Sequence, residues 1–590
     1  MRTTVTGFAF LVLSPLAQAA YTDQTPLAYA SSSTDGPSDY YQFKWPIKKV
    51  AIIGAGVGGL IAYRELTQAG YDVHIYERDN QAGGNWHYTD EVNVDAPIPA
   101  RDISVGDFIP SLPPKGAKLP YVEVYENKEE NAYKKRVHRS PKPIWKSLTS
   151  NAPAPVQQIR ELPWPAGTAW GMFDFILLSL PNQKLSRYLR AFASWHGLNA
   201  NDNNPNISYN TRVELVEKRV NEDGQEQGWT VTVKNLADID HSKLKATWTK
   251  VDYDAVVVAT GRYNAPNIPP IQGLKEWNDR FPGHIEHSRQ YRTPEPFTNQ
   301  TVLIIGAATS GSEISRDIIR NVKKVYQSIR PQKSPVPTFP QDAWLKRIPR
   351  NTTIVPEIRR FLPPSASFNE GRVELINGSV RPSPFDGLWA KLILKLDCTK
   401  LFLGINDTVP LGGGVQPIVT DGTHLRSLYL DAFYIPDPTL TFINANYGMQ
   451  SFTYAEFVSL AAAKIWARKA DFPSTAELWH RYYKLYKERK GYGRHFQFLG
   501  ARKTHENLRF FQGWLNDAAV KYGGRQIDGL SPDLPQVNAL WSQARYATGE
   551  LPTNASYIAS LGLEDYVPKG ESIVDGTEPW VQDWVFNDYW

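Results

Sequence analysis

Lys49-Val50-Ala51-Ile52-Ile53-Gly54-Ala55-Gly56-Val57-Gly58-Gly59-Leu60 decides how the rest of this chain is read. Val50, Ile52 and Ile53 make a short β-branched run that stops at glycines, the pattern of a buried strand. Leu60, Ala62, Leu66 and Ala69 then recur at helical spacing up to Gly70, and Val73-His74-Ile75-Tyr76-Glu77 returns as a second strand. Strand, glycine turn, helix and strand form a βαβ unit with parallel strands. Gly54 permits the tight turn, Gly56 lets the backbone approach a pyrophosphate, and Gly59 allows close helix–strand packing. The helix N-terminus offers N–H groups and a positive dipole to phosphate. Glu77 closes the second strand, where a carboxylate accepts the ribose hydroxyls. A dinucleotide site follows from these parts together, whereas the glycines alone would be a turn.

The pattern occurs twice. Thr301-Val302-Leu303-Ile304-Ile305 runs into Gly306-Ala307-Ala308-Thr309-Ser310-Gly311, a helix carries Ile314, Ile318 and Ile319, and Lys324 to Ser328 reads as the next strand. Ala308 stands in the place of the middle glycine. No acid ends the second strand; Arg330 and Lys333 follow it, and cations there favour the 2′-phosphate of NADPH over NADH. Two further stretches belong with these turns. Gly83-Gly84-Asn85-Trp86 lets the chain pass close to a large planar ligand, with Trp86 able to pack on it. Ala259-Thr260-Gly261 follows the buried run Ala255 to Val258, where a nucleotide-bound crossover leaves a sheet.

The expected fold class is therefore α/β, with two Rossmann-like dinucleotide-binding domains and a C-terminal helical segment. Its expected parts are a signal peptide (1–19), a leader arm (20–45), a first nucleotide domain (46–295), an inserted second one (296–432), a return segment of the first (433–470) and a helical cover and tail (471–590). A chain of 590 residues is too long for one ordinary core, which fits this division. Hydrophobic residues at 42% and charged ones at 21% describe a globular chain. The net charge of +5 comes with no basic stripe, which argues against nucleic acid. Arg2, the apolar run Gly7 to Leu13 and Ala17-Gln18-Ala19 resemble a cleavable secretory signal, and that run is too short to anchor in a bilayer. Secretion would expose six sequons, at Asn206, Asn299, Asn351, Asn377, Asn406 and Asn554, so a secreted or lumenal glycoprotein is expected. The lone Cys398 makes no internal disulfide, and the eleven histidines are scattered, so no metal site is expected.

These residues resemble the flavin-containing monooxygenase family. Phe281, Gly283, His287 and Tyr291 fit its F-x-G-x-x-x-H-x-x-x-Y/F pattern, and the related Baeyer–Villiger enzymes usually end that motif in Trp. Leu148 to Pro153 resembles its L-x-x-N-x-P segment, Tyr188 to Ala193 its Y-L-x-x-Y-A helix with Phe192 in the second aromatic place, and Asn210 to Val213 the strand whose backbone meets adenine at Val213. The family's A/C-T-G-Y signature has only Cys398-Thr399-Lys400-Leu401 as a partial counterpart, and a long insertion lies between Trp86 and Asn151.

The resemblance implies an FAD- and NADPH-dependent monooxygenase that forms a flavin C4a-hydroperoxide with O2 and oxygenates a soft nitrogen or sulfur nucleophile of a small organic molecule. It places Asn151, with Ser150 beside it, at the reactive edge of the flavin, and Ser310, Gly311, Ser312 and Glu313 around the NADPH pyrophosphate and ribose. His287 reads as an interdomain, architectural residue. Baeyer–Villiger oxygenation, a secreted flavin oxidase and a non-catalytic nucleotide-binding protein are the alternatives; Tyr291 weighs against the first and the second glycine turn against the second.

Overall fold

The computed structural model describes residues 40–530 apart from 94–97, 99–108, 165–178, 200–203, 265, 267, 330–347, 350, 383–388, 395–417, 420–422 and 494. Lys49–Ile53 is a strand whose side chains alternate between two packed faces. Val50 and Ile52, with Val257, enter a core shared with Leu60, Ile61 and Leu66 of helix Val57–Gln68. Ala51, with Val256 and Val258, faces Val216, Trp229 and Val231. A strand covered on both faces has no polar side to show, hence its unbroken apolar run. Full burial of each large aliphatic side chain here is worth roughly 1.5–3 kcal/mol.

This strand sits inside a seven-stranded sheet with the order Leu428–Tyr429, Phe433–Tyr434, Leu440–Phe442, Ala255–Val258, Lys49–Ile53, Asp72–Tyr76, Ile207–Ser208. Its last five strands run parallel, so their carboxyl ends meet at one edge. A second sheet, wholly parallel, has the order Ile285–His287, Trp389–Leu394, Thr301–Ile305, Lys324–Ile329, Thr352–Pro356. Both crossings between the two units come earlier than expected. Ile285–His287 already belongs to the second sheet, ahead of residue 296, and Leu428–Tyr429 belongs to the first, ahead of 433. Ile268, Leu274 and Trp277 likewise pack with Leu303 and Tyr326 of the second unit.

Beyond residue 210 the chain builds a sheet of its own. Thr211–Val220, Glu226–Asp238 and Leu244–Tyr253 form an antiparallel sheet, and Tyr121–Tyr125 from the long insertion adds a fourth strand at its edge. The insertion also supplies helix Lys128–Arg139, capped by Asn127, which accepts from the N–H groups of Glu129 and Glu130. Ser111 pins it further: its N–H reaches Glu214 Oε2 at 2.8 Å and its carbonyl accepts from Trp248 Nε1 at 2.6 Å.

Helices Ser451–Trp466, Thr475–Glu488 and Gly500–Tyr522 cover the first unit. The leader's last residues are tied down, because Tyr41 N–H bonds Phe472 O at 2.9 Å and Phe43 enters the core. Arg64, 2% exposed, stands between Glu65 at 3.2 Å, Glu456 at 3.3 Å and Glu161, joining the first helix to its cover. No helix among the described residues is long and apolar enough to cross a membrane. The signal segment, Arg330, Lys333, the Cys398 motif and the tail beyond 530 lie outside the described residues.

Candidate active site

Gly54 has φ +102° and donates its N–H to Tyr76 O at 2.8 Å, turning the chain from the first strand into the helix. A Cβ on it would stand 2.8 Å from Ala259 O and 3.5 Å from the Cα of Thr260, so the Ala259-Thr260-Gly261 turn lies directly on the glycine turn. Thr260 and Gly261 are exposed there. A Cβ on Gly59 would run into the Gly54 carbonyl oxygen. Gly56, the N-cap of the helix, faces Gly84: a Cβ on Gly84 (φ +54°) would be 2.7 Å from Gly56 Cα. Two glycine stretches thus lie backbone to backbone, and Gly84 has no room for a side chain between them. Asn85 and Trp86 continue as a half-buried turn, with Trp86 packed partly on the core.

Glu77 is buried at the end of the second strand. Its Oε2 accepts from Ala55 N–H at 2.7 Å and its Oε1 from Asp79 N–H at 2.9 Å. Each oxygen keeps a lone pair for a hydroxyl donor. Asp79 is buried next to it. Burial opposes its ionisation, but Lys142 at 3.4 Å and a 2.9 Å bond from His87 outweigh that and hold the carboxyl well below the usual range. Val213 is half-buried near the start of Thr211–Val220, with an irregular register just after it, and Thr211 N–H reaches back to Glu77 O at 2.9 Å.

Asn151 lies on Thr149–Pro153, paired with Ser179–Pro181, and is half-buried. Its neighbour Ser150 is fully enclosed, and its hydroxyl donates to Ala152 O at 2.8 Å and accepts from Leu180 N–H at 2.8 Å, so it ties strands together. Asn182, also fully enclosed, donates to Trp145 O at 2.9 Å and Lys146 O at 3.1 Å, holding the loop that leads into the Asn151 strand.

Sequence reasoning passed over a fourth side. The chain after Leu440–Phe442 runs through Asn444, Asn446 and Gln450 into helix Ser451–Trp466. A Cβ on Gly58 would meet Ile443 at 2.8 Å, so this stretch also lies on the first glycine helix. Gln450, 2% exposed, is the helix N-cap, and neither polar atom of its amide has a protein partner. A buried amide at an uncapped helix start is suited to a ligand that both donates and accepts hydrogen bonds. The amide-rich run between a buried strand and a helix was the available signal.

At the second turn Gly306 has φ +103° and donates to Ser328 O at 2.8 Å, and Gly311 has no room for a Cβ beside the Gly306 carbonyl. Gly306 to Thr309 are half-buried and Ser310 to Ser312 are buried. Ser312 is fully enclosed, and its hydroxyl donates back to Ala308 O at 3.2 Å and Thr309 O at 3.1 Å. Gly311 serves packing, Ser310 is 4% exposed, and Glu313 is half-buried one turn on. Thr309, half-buried, is the first helical residue. Arg330 falls outside the described residues.

The Phe281-to-Tyr291 motif is framework. Phe281 packs on Trp277 and Phe368, Gly283 has φ +80°, and Tyr291 donates to Asp317 at 2.5 Å. His287, 1% exposed, caps the short turn that follows it by accepting from Arg289 N–H at 3.2 Å. Among the described residues no cluster could hold a metal ion.

Comparison with known proteins meets this geometry. Flavin-containing monooxygenase iboF of Amanita muscaria is 49% identical over 513 residues, covering 82% of this chain and 91% of its own. The chain belongs to the flavin-containing monooxygenase family. A profile described as flavin-binding monooxygenase-like matches residues 133–335, and one for an NAD(P)-binding Rossmann-like domain matches 52–102. Flavin-containing monooxygenase ustF1 of Aspergillus flavus is 28% identical, covering 85% of this chain and 92% of its own. In fold, the structure of S-allyl-L-cysteine S-oxygenase from Allium sativum is similar with a TM-score of 0.58 and 21% identity, over 88% of this chain and 99% of that one.

This member of the family is an oxidoreductase that incorporates oxygen and uses FAD and NADPH. Its first site fits FAD by two observations: the Gly56–Gly84 approach that a Cβ would fill, and the unpartnered amide of Gln450.

Proposed function

We propose that this monooxygenase transfers oxygen to a soft nitrogen or sulfur atom of a small organic molecule. The observation that carries the reading is Tyr291 at the end of the Phe281 motif, where ketone-oxygenating relatives usually carry Trp; its enclosed hydroxyl is committed to Asp317. The fold neighbour named as an S-oxygenase points the same way. When bound, FAD supplies the redox chemistry that joins NADPH oxidation to oxygen transfer. The chain's own residues do the holding. Gly54, Gly56 and Gly84 give the pyrophosphate its approach, Glu77 accepts the ribose hydroxyls while fixed by two backbone N–H groups, and the start of helix Ser451–Trp466 with Gln450 offers donors to the ring's polar edge.

Gly306, Ala308 and Thr309 would take the NADPH pyrophosphate, and Arg330 its 2′-phosphate. We further propose that the chain is routed to the secretory pathway by residues 1–19, which mass analysis of the mature N-terminus and its glycans would test. Asn151 carries the mechanism: an amide donates and accepts without titrating near neutral pH, so it can hold the nicotinamide edge without acting as a stray proton source. Asn151→Ala should keep its FAD and still oxidise NADPH, but release hydrogen peroxide where the parent gives an N- or S-oxide. A coupled, fully active Asn151→Ala enzyme, screened on amines, thioethers and ketones, would remove this residue from the site.

A further inference from the structure

Arg262 follows the Ala259-Thr260-Gly261 turn directly, and its side chain runs inward, 6% exposed. Its Nη1 donates to Ala445 O at 2.6 Å and its Nη2 to Thr423 O at 2.7 Å. The guanidinium also lies 4.9 Å from the centre of the Tyr447 ring. One side chain therefore grips the turn after Ala255–Val258, the turn after Leu440–Phe442 and the stretch at Thr423. Both turns border the first glycine site, the former through Thr260 against Gly54 and the latter through Ile443 and Asn444 against Gly58. The grip extends outward, since Tyr447 N–H bonds Gln497 O at 3.1 Å and Tyr447 O accepts from Leu499 N–H at 3.0 Å.

We propose that Arg262 is a positioning residue for the flavin: it fixes the spacing between the Thr260-Gly261 turn and the Asn444-to-Gln450 turn, and so the width of the slot between them. This rests on the assignment of FAD to the first glycine turn. Arginine suits the task because its planar, permanently charged fork holds two carbonyls at one set distance. A lysine ammonium, a point charge on a flexible stem, reaches one of them at a time. Ala445 O would otherwise be left buried without this donor, and the turns that Arg262 joins would be free to part.

Four purified holoenzymes test the proposal: parent, Arg262→Met, Arg262→Lys and Trp229→Phe. The last removes the 2.8 Å bond from Trp229 Nε1 to Thr439 Oγ1 at the opposite end of the Leu440–Phe442 strand, and so reports loss of stability away from the slot. The readouts are flavin release followed by fluorescence, the visible spectrum of bound flavin, peroxide formed per NADPH, and the melting temperature. Arg262→Met should weaken flavin retention roughly tenfold or more, the scale of a lost charge-assisted hydrogen bond. It should also alter the bound spectrum and raise peroxide, while Arg262→Lys recovers part of each. Trp229→Phe should lower only the melting temperature. Arg262→Met that melts lower yet keeps flavin, spectrum and coupling would overturn the proposal, and so would Trp229→Phe reproducing the flavin changes. Where Arg262→Met fails to fold, Arg262→Lys decides: partial flavin loss supports the clamp and parental behaviour overturns it. Parent protein that purifies without FAD and takes none up overturns the flavin assignment itself, a result distinct from these.

Discussion

At the first glycine turn the N-cap residue Gly56 has φ −78° and ψ −173°; at the second, Ala308 has φ −80° and ψ −172°. Gly54 and Gly306 share a φ near +100° and a 2.8 Å bond to the neighbouring strand, and Gly59 and Gly311 both close against the carbonyl of the turn's first glycine. Backbone conformation is thus repeated almost degree for degree, while the surroundings differ. The first turn is pressed by Gly84 and backed by Glu77, whose carboxylate takes the Ala55 N–H. At the same spacing from the second turn stands Ile329, buried and unable to accept a hydroxyl. A repeated backbone fixes that a dinucleotide binds; the residues around it fix which one and how tightly.

The helix–strand glycines give the largest expected effects. Gly59→Ala drives a methyl into the Gly54 carbonyl, an overpacking that costs about 1–3 kcal/mol or more and moves the helix carrying the phosphate site. It should yield a colourless, less stable protein. Gly311→Ala makes the same clash in the second unit, and should raise the KM for NADPH while the flavin stays bound. Visible spectra and melting curves read both, and a Gly311→Ala protein that loses flavin first would end the division of labour between the turns.

Glu77→Gln comes next. It keeps the shape but removes the charge from the bond to Ala55 N–H, so flavin binding should weaken by about 1.5–3 kcal/mol. NADPH affinity in the flavin-loaded fraction should not change. Arg330→Ala is the reciprocal case: NADPH binding should fall by about 1.5 kcal/mol while NADH use is little altered. Equal loss with both cofactors would mean that the cation supports the fold instead.

How much of this was legible in the sequence depended on whether the signal was local. Gly54, Gly56, Gly59 and Glu77 lie within one βαβ unit, so spacing alone placed them. Ser150 and Ser312 show what spacing leaves out, because a motif gives proximity in the chain and says nothing of which way a hydroxyl turns; both turn inward onto backbone groups. Asn182 and Arg262 were not singled out because their partners are distant in sequence, Ala445 lying 183 residues from Arg262, and Gln450 because only the fold buries its amide. The domain crossings were placed late for the same reason: Ile285–His287 looks like part of a motif until its parallel partner Trp389–Leu394 is seen.

The smallest effect is the most direct test of the comparison. Ala308→Gly turns the second N-cap into the first without altering its dihedral angles, which both residues adopt. Glycine is a fair N-cap residue, somewhat better than alanine, while its greater freedom in the unfolded chain works the other way. The two terms leave a net change within about 0.5 kcal/mol, and the KM for NADPH should move by less than about twofold. The opposite exchange is not symmetrical. A methyl from Gly56→Ala stands 3.4 Å from Gly84 Cα, a tight contact that a small shift relieves, so the fold should survive it. Loss of flavin from a Gly56→Ala protein with a parental melting curve would therefore have to come from the ligand's side of the turn, where the methyl fills the path of the pyrophosphate. If Gly56→Ala keeps its flavin and Ala308→Gly changes NADPH binding strongly, the tighter approach belongs to the second turn, and the two sites have been assigned the wrong way round.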